Sequence, residues 1–299
     1  MQKPYITPQK LLGESHLPID VDLAFICYCP MPIVFEDYKL NIELNNRLFI
    51  HTHNSHVLFG KYDEMTFIVV AEVYGGPVSV TTVEELKHYG INTIIGIGFV
   101  GSFNPAIKTG STIMASKSLI ELGTTPHYYA NRGYYTFPHY ELSTILKMPE
   151  TCVWTTNALY REHKTDILNA IKSNCHVVNM DTSHLYASCE MLNIKCVYYA
   201  VVSDYMSIEE SEEITNSEEW SNELTKAVNG SKSIVIQSQT QLIQSLLDSF
   251  ERHILKKKMD FLNSLPYEIE TISNPEVPFP STSTNFDKIV GINITIKKN

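Results

Sequence analysis

Three strand-like apolar runs in the chain end in residues able to do chemistry. Residues 196–202 lead into Ser203 and Asp204. A carboxylate just past the carboxyl end of a buried parallel strand points into the crevice where ligands bind; as a helix cap, the same residue would only satisfy a backbone amide. From the residues alone, both readings of Asp204 stand. A second run carries Gly96, Gly98, Phe99, Gly101 and Ser102. Amides of a Gly-rich strand end can cradle an anion or a ribose, though the same pattern also makes a plain turn. Its spacing is not that of a dinucleotide or Walker loop, because no Lys-Ser/Thr pair follows. The third run, 176–179, ends in Met180 and Asp181 ahead of a helical pattern, and capping by itself accounts for Asp181.

Composition narrows the partners. The 299 residues carry 23 Lys plus Arg against 33 acids, a formal charge of -10, and only four of the bases are Arg: Arg47, Arg132, Arg161 and Arg252. Such a surface repels a nucleic-acid backbone, so no nucleic-acid partner is expected. The six Cys show no metal-ligand spacing and sit in or beside apolar runs, which reads as reduced core thiols with no metal. No window approaches the ~18 continuous apolar residues of a membrane span, and residues 1–13 lack the apolar stretch of a signal peptide. A cytoplasmic location is expected, with no membrane partner.

The elements that must position these residues alternate. Residues 21–29, 66–73, 92–98, 152–156, 176–179 and 196–203 read as strands, most of them buried on both faces. Helical spacing appears over 80–89, with Thr81 and Thr82 as N-caps, and over 181–192. The pattern predicts an α/β fold, three-layer α/β/α, around a central mixed, largely parallel sheet. A Glu-rich segment, 209–219, precedes a long helix over 220–263 that Gly230 can interrupt. Residues 1–20 read as an N-terminal segment, 21–263 as one domain including the long helix, and 264–299 as a Pro-containing tail with an extra strand over 286–297.

Taken together, the strand ends resemble a known family, the nucleoside phosphorylases of the purine nucleoside and uridine phosphorylase superfamily, which also contains nucleosidases. The resemblance spans about residues 21–206. It rests on residues 74–77 before a helix, on 98–105 followed by a strand over 111–115, on WTTNALYRE at 154–162, on Met180-Asp181 and on Ser203-Asp204. It implies cleavage of the N-glycosidic bond of a nucleoside, a purine nucleoside by the likeness of Asp204 to the purine-type acid, with ribosyl transfer to phosphate or water. By the same resemblance, Asp204 protonates or hydrogen-bonds the leaving base. Leu159 and Tyr160 pack on the base, Met180 lies under the ribose and Asp181 holds its hydroxyls. Gly98, Phe99 and Ser203 belong to the substrate-binding set. A homo-oligomer is implied as well; no organic cofactor is, with phosphate entering only as co-substrate.

The departures from the family fall on the phosphate site. The Gly-Asp-Pro-x-Arg motif of the relatives is matched here by Tyr28, Cys29, Pro30, Met31 and Pro32, without its Arg. In the second cradle, Gly96 and Phe99 stand where the family often has Arg and Ser or Thr. Each charge-assisted contact to phosphate contributes on the order of 1.5 to 3 kcal/mol, and at least two are missing. Arg47 is the candidate replacement. Asp181 stands where the family usually has Glu, which shortens its reach by one carbon–carbon bond. Three functions remain in view: phosphorolysis, hydrolysis, and non-catalytic nucleoside binding or an assembly role.

Overall fold

The computed structural model describes residues 4–129, 133–206 and 218–264, without the side chains of 218–231, 262 and 263. The chain divides into two units, Met1–Ile254 and Leu255–Asn299. The strands, in chain order, are β1 (Leu23–Cys27), β2 (Val57–Tyr62), β3 (Met65–Val70), β4 (Thr93–Ser102), β5 (Thr112–Leu119), β6 (Tyr135–Thr136), β7 (Glu150–Thr155), β8 (Cys175–Asn179) and β9 (Lys195–Tyr205). The helices are α1 (Pro8–Leu12), α2 (Gly75–His88), α3 (Tyr140–Ser143), α4 (Lys164–Lys172), α5 (Thr182–Met191) and α6 (Glu218–Ser264).

Alternation along β1 explains the layering. Ala24 and Ile26 face a core that holds Val83 and Leu86 of α2 with Leu185, Tyr186 and Cys189 of α5. Leu23, Phe25 and Cys27 face the opposite core, against Leu242, Ile243, Leu246, Leu247 and Phe250 of α6. A strand with both faces covered reads as a continuous apolar run, which is why β1, β3, β4 and β9 stand out in the sequence.

The sheet is less parallel and less open than its sequence suggests. β4 pairs with β9 and β1 in parallel, but its last residues, Gly101 and Ser102, pair antiparallel with β8. β8 continues to β7, β7 to β5, and β5 returns antiparallel to β9, so β4, β8, β7, β5 and β9 form a closed ring. The cause is length and a bulge. β4 runs past the end of β1, and after Val100 its pairing with β9 shifts register, Ser203 being the extra residue of a bulge in β9, while Gly101 and Ser102 also pair with β8. Layers of helix on sheet therefore hold around β1, β3, β4 and β9, whereas the rest of the sheet curls into the ring.

Two helix expectations change. α2 starts at Gly75, so Thr81 and Thr82 lie inside it, and Thr81 Oγ1 donates to the Pro77 carbonyl rather than capping an amide. Pro77 is tolerated in the first turn, where its missing N–H would have no helical partner. α6 runs unbroken through Gly230. Most of the Glu-rich segment, and the strand expected over 286–297, lie outside the described residues. Among the described residues, no helix is long and apolar enough to cross a membrane.

The α6 seam yields a stability test. Leu246 is fully buried against the sheet, so Leu246→Ala should destabilise the fold by about 2–5 kcal/mol. A shifted urea midpoint in equilibrium unfolding would register it.

Candidate active site

The carboxyl ends of β4, β8 and β9 converge on one cavity of about 260 Å³. β4 supplies Phe99 and Gly101; β8 and the turn after it supply Val178, Asn179, Met180 and Asp181; β9 and the residue beyond it supply Ser203, Asp204 and Met206. The turn entering α2 adds Tyr74 and Gly75, the loop after β7 adds Leu159 and Glu162, and Tyr28 closes the floor.

Asp181 is not a capping residue. It occupies the N-cap position of α5, yet its side chain makes no cap hydrogen bond. Its carboxylate is instead 5% exposed and accepts from the Tyr198 hydroxyl at 3.2 Å and from the Gly75 amide. Burial outweighs both donors and pushes the Asp181 pKa up to about 8. At neutral pH a mainly protonated acid thus stands at the N-terminus of α2, able to donate as well as accept. Gly75 presents its amide there with a φ of +74°, a conformation that suits glycine.

Gly98 has a packing role that its place in a Gly-rich strand end does not reveal. A Cβ at this position would stand 2.1 Å from the Tyr198 hydroxyl oxygen and 3.2 Å from Tyr28 Cβ. The glycine admits two tyrosine rings, whose centroids lie 5.6 Å apart. Tyr28 in turn hydrogen-bonds Ser79 of α2 at 2.7 Å. Gly98 therefore shapes the wall of the cavity without lining it.

At the other end, Asp204 is exposed, and Ser203 Oγ lies 2.5 Å from its Oδ1 and 3.2 Å from the Val100 carbonyl. Glu162 is half-buried and shares the cavity wall with Asp204. Burial, and then the neighbouring Asp204 charge, push the Glu162 pKa up to about 7. The loop bearing Glu162 is fixed from below. Asn157 Oδ1 accepts from the Gly76 amide at 3.3 Å and lies 3.1 Å from His184 Nε2, while His184 Nδ1 lies 2.9 Å from Thr125 Oγ1. Burial lowers the His184 pKa to about 4, so its ring is neutral and donates from one nitrogen while accepting at the other.

Of the residues singled out by sequence, Phe99, Met180, Asp181, Ser203 and Asp204 meet at this cavity. Tyr160 does not: it is 92% exposed, while its neighbour Leu159 reaches the lining. Arg47 is exposed and spends its Nε on the Phe49 carbonyl at 2.8 Å, beside Glu85. Among the described residues no Lys or Arg lines the cavity. Arg132 lies outside the described residues. No group of three or more His, Cys, Asp or Glu suited to a metal occurs among the described residues. Glu162, Tyr28 and Tyr74 were not singled out as site residues, although each falls in a segment compared with the family, at 154–162, 28–32 and 74–77.

The Asp181 environment sets a pH dependence. An acid whose pKa rises from 3.8 to about 8 on folding binds more protons folded than unfolded, so it withdraws stability as pH rises across that interval. Asp181→Asn, neutral throughout, should gain on the native protein in thermal midpoint from pH 4 to pH 8. A constant difference across that range would contradict the assignment.

Comparison with known proteins gives a consistent picture. Residues 24–238 match the family model of the phosphorylase superfamily. An uncharacterized protein of Acanthamoeba polyphaga mimivirus is 56% identical over 249 residues, covering 83% of this chain and 98% of that one. A DeoD-type purine nucleoside phosphorylase of Mycoplasma genitalium is 25% identical over 164 residues, 51% of this chain and 69% of its own. Two solved structures share the fold. The 5'-methylthioadenosine/S-adenosyl homocysteine nucleosidase of Campylobacter jejuni aligns with a TM-score of 0.57 at 16% identity, covering 78% of this chain and all of its own. Futalosine hydrolase of Helicobacter pylori aligns with 0.56 at 12% identity, covering 76% and 97%.

Proposed function

Because the chain belongs to the phosphorylase superfamily, we propose that it cleaves the N-glycosidic bond of a purine nucleoside and that water, not phosphate, accepts the ribosyl group. One observation carries the choice of acceptor. The cavity is walled by three carboxyl groups, Asp181, Glu162 and Asp204, and among the described residues by no cation. Phosphate would bring its negative charge to a wall that offers acidic groups and no countercharge. One anion pair at about 5 Å and an effective dielectric of ~20 costs roughly 3 kcal/mol. Moreover, the amide at the start of α2, a natural anion site, is already given to Asp181. Water brings no charge and meets no such barrier.

In this reading the sugar lies over Met180 with its hydroxyls toward Asp181, whose protonated form donates to one hydroxyl oxygen. The base extends toward Leu159 and Phe99 and departs against the acidic end formed by Glu162 and Asp204. A leaving purine anion is unstable, so a carboxyl group placed there assists by supplying a proton or a hydrogen bond as charge develops. Fixing the sugar between Met180 and Asp181 favours the oxocarbenium-like geometry of the transition state.

Incubation with a panel of purine and pyrimidine nucleosides, with and without phosphate, tests the reaction. Free base with free ribose, at a rate that phosphate does not raise, is the expected outcome; ribose 1-phosphate would show phosphorolysis instead. No base release and no ligand-induced thermal shift with any nucleoside would remove both enzymatic readings. In the active protein, Asp204→Asn should lower kcat/KM about 100-fold while the unfolding midpoint stays in place.

A further inference from the structure

We propose that Cys152 and Cys175 are the two halves of a disulfide that a hydroperoxide closes, and that the bond staples the excursion of chain between β7 and β8. The inference is independent of the reaction proposed above. The two residues sit on neighbouring parallel strands in direct register, Cys152 of β7 opposite Cys175 of β8. Adjacent strands lie about 4.8 Å apart, within the Cα separation that a disulfide spans. The Sγ atoms are 2.8 Å apart, so bond formation asks the sulfurs to close by only about 0.8 Å.

The surroundings set this pair apart from the other thiols. Cys27 and Cys29 lie in the core against α6, and Cys189 and Cys196 in the core beneath α2 and α5. Burial, and then the neighbouring thiol, push Cys27 and Cys189 well up, which keeps them protonated and inert. Cys152 and Cys175 belong instead to a smaller cluster with Phe103, Ile167, Ala170 and Val178, edged by the half-buried Tyr135. Lys117 stands opposite Cys152 in the pairing of β5 with β7, its Nζ 4.2 Å from the centre of the Tyr135 ring. The hydrogen bond from Cys175 holds the Cys152 thiol below its ordinary range, aided by the Lys117 charge against the opposing effect of burial. The same hydrogen bond, and then burial, push Cys175 up. Cys152 is therefore the attacking sulfur and Cys175 the resolving one.

Hydrogen peroxide is small enough to serve as the oxidant of a pair beneath the surface. The Cys152 thiolate attacks one peroxide oxygen, the O–O bond breaks and hydroxide leaves, so Cys152 becomes a sulfenic acid. Cys175 Sγ then attacks Cys152 Sγ. The S–S bond forms, the S–O bond breaks, and the departing hydroxyl takes the Cys175 proton as water. With the proton that Cys152 gave up returned to hydroxide, two thiols and one peroxide become one disulfide and two waters. The bond closes a loop that carries α4 and, from the cavity wall, Leu159 and Glu162. Closing that loop restricts the unfolded chain and so stabilises the fold.

Treating the full chain with a small excess of hydrogen peroxide, then alkylating it in denaturant and digesting it for mass spectrometry, tests the pairing. The expected product joins the peptides holding Cys152 and Cys175 with loss of two hydrogens, reverts in dithiothreitol, and leaves Cys27, Cys29, Cys189 and Cys196 alkylated. Its thermal midpoint should lie about 5 °C or more above that of the reduced protein. In Cys175→Ser the sulfenic acid on Cys152 should persist and be captured by dimedone, whereas Cys152→Ser should leave Cys175 open to alkylation. A native chain that gives no such link, links through another cysteine or to a second chain, or carries sulfinic acid on Cys152 overturns the pairing, whether or not the variants fold. A link that forms without raising the midpoint overturns the staple.

Discussion

The parallel pairing of β4 with β9 is the constraint on which the site depends. It extends from Thr93 opposite Lys195 to Ser102 opposite Tyr205, with a register shift after Val100. That shift sets Asp204 opposite Gly101, and the pairing of Gly101 with Val178 of β8 brings Met180 and Asp181 to the same opening. A site assembled from the ends of three strands in one hydrogen-bonded ring has little freedom to relax. Asp181 and Asp204 are held by strand-end backbone that cannot move independently of the core.

Within that frame, internal groups occupy the backbone amide and the space beside the strand ends. The start of α2 offers its amide to a side chain of the same protein, and the space beside Gly98 is filled by Tyr198 and Tyr28. Beside the strand ends the protein presents two aromatic rings and a buried acid that is most stable when neutral. The cavity wall carries three carboxyl groups, Asp181, Glu162 and Asp204.

Much of this was readable from the residues, and the exceptions have physical reasons. β1, β3, β4 and β9 are covered on both faces and therefore announce themselves as apolar runs. β2 was missed because it pairs only along one side with β3 within the sheet, and Gly60 interrupts its pattern, the ring of Phe67 occupying the place where a Cβ would stand. β6 has two residues and no pattern to read. Thr81 and Thr82 imitate a cap, but the true start of α2 at Gly75 is set by tertiary contacts of the turn. Asp204 and Asp181 were identifiable as strand-end acids. That Asp181 ignores its capping opportunity could not be known, because its partner Tyr198 lies in the middle of an apolar strand. Ring closure likewise depends on a bulge, and a one-residue slip leaves no compositional trace.

Closure of the ring also orders events along the chain. β4 and β9 are separated by about a hundred residues, yet each is completed only by the other, and β5 returns to the same partner. Local contacts cannot substitute for that long-range pairing, so the protein belongs among topologies of high contact order that fold slowly. During synthesis, the earlier strands must wait with apolar faces uncovered until Tyr205 has left the ribosome. α6 follows β9 in the chain and covers the face opposite α2 and α5, so the second half of the core is sealed later still. The interval before that sealing is when the nascent chain is most exposed to aggregation and most dependent on chaperones.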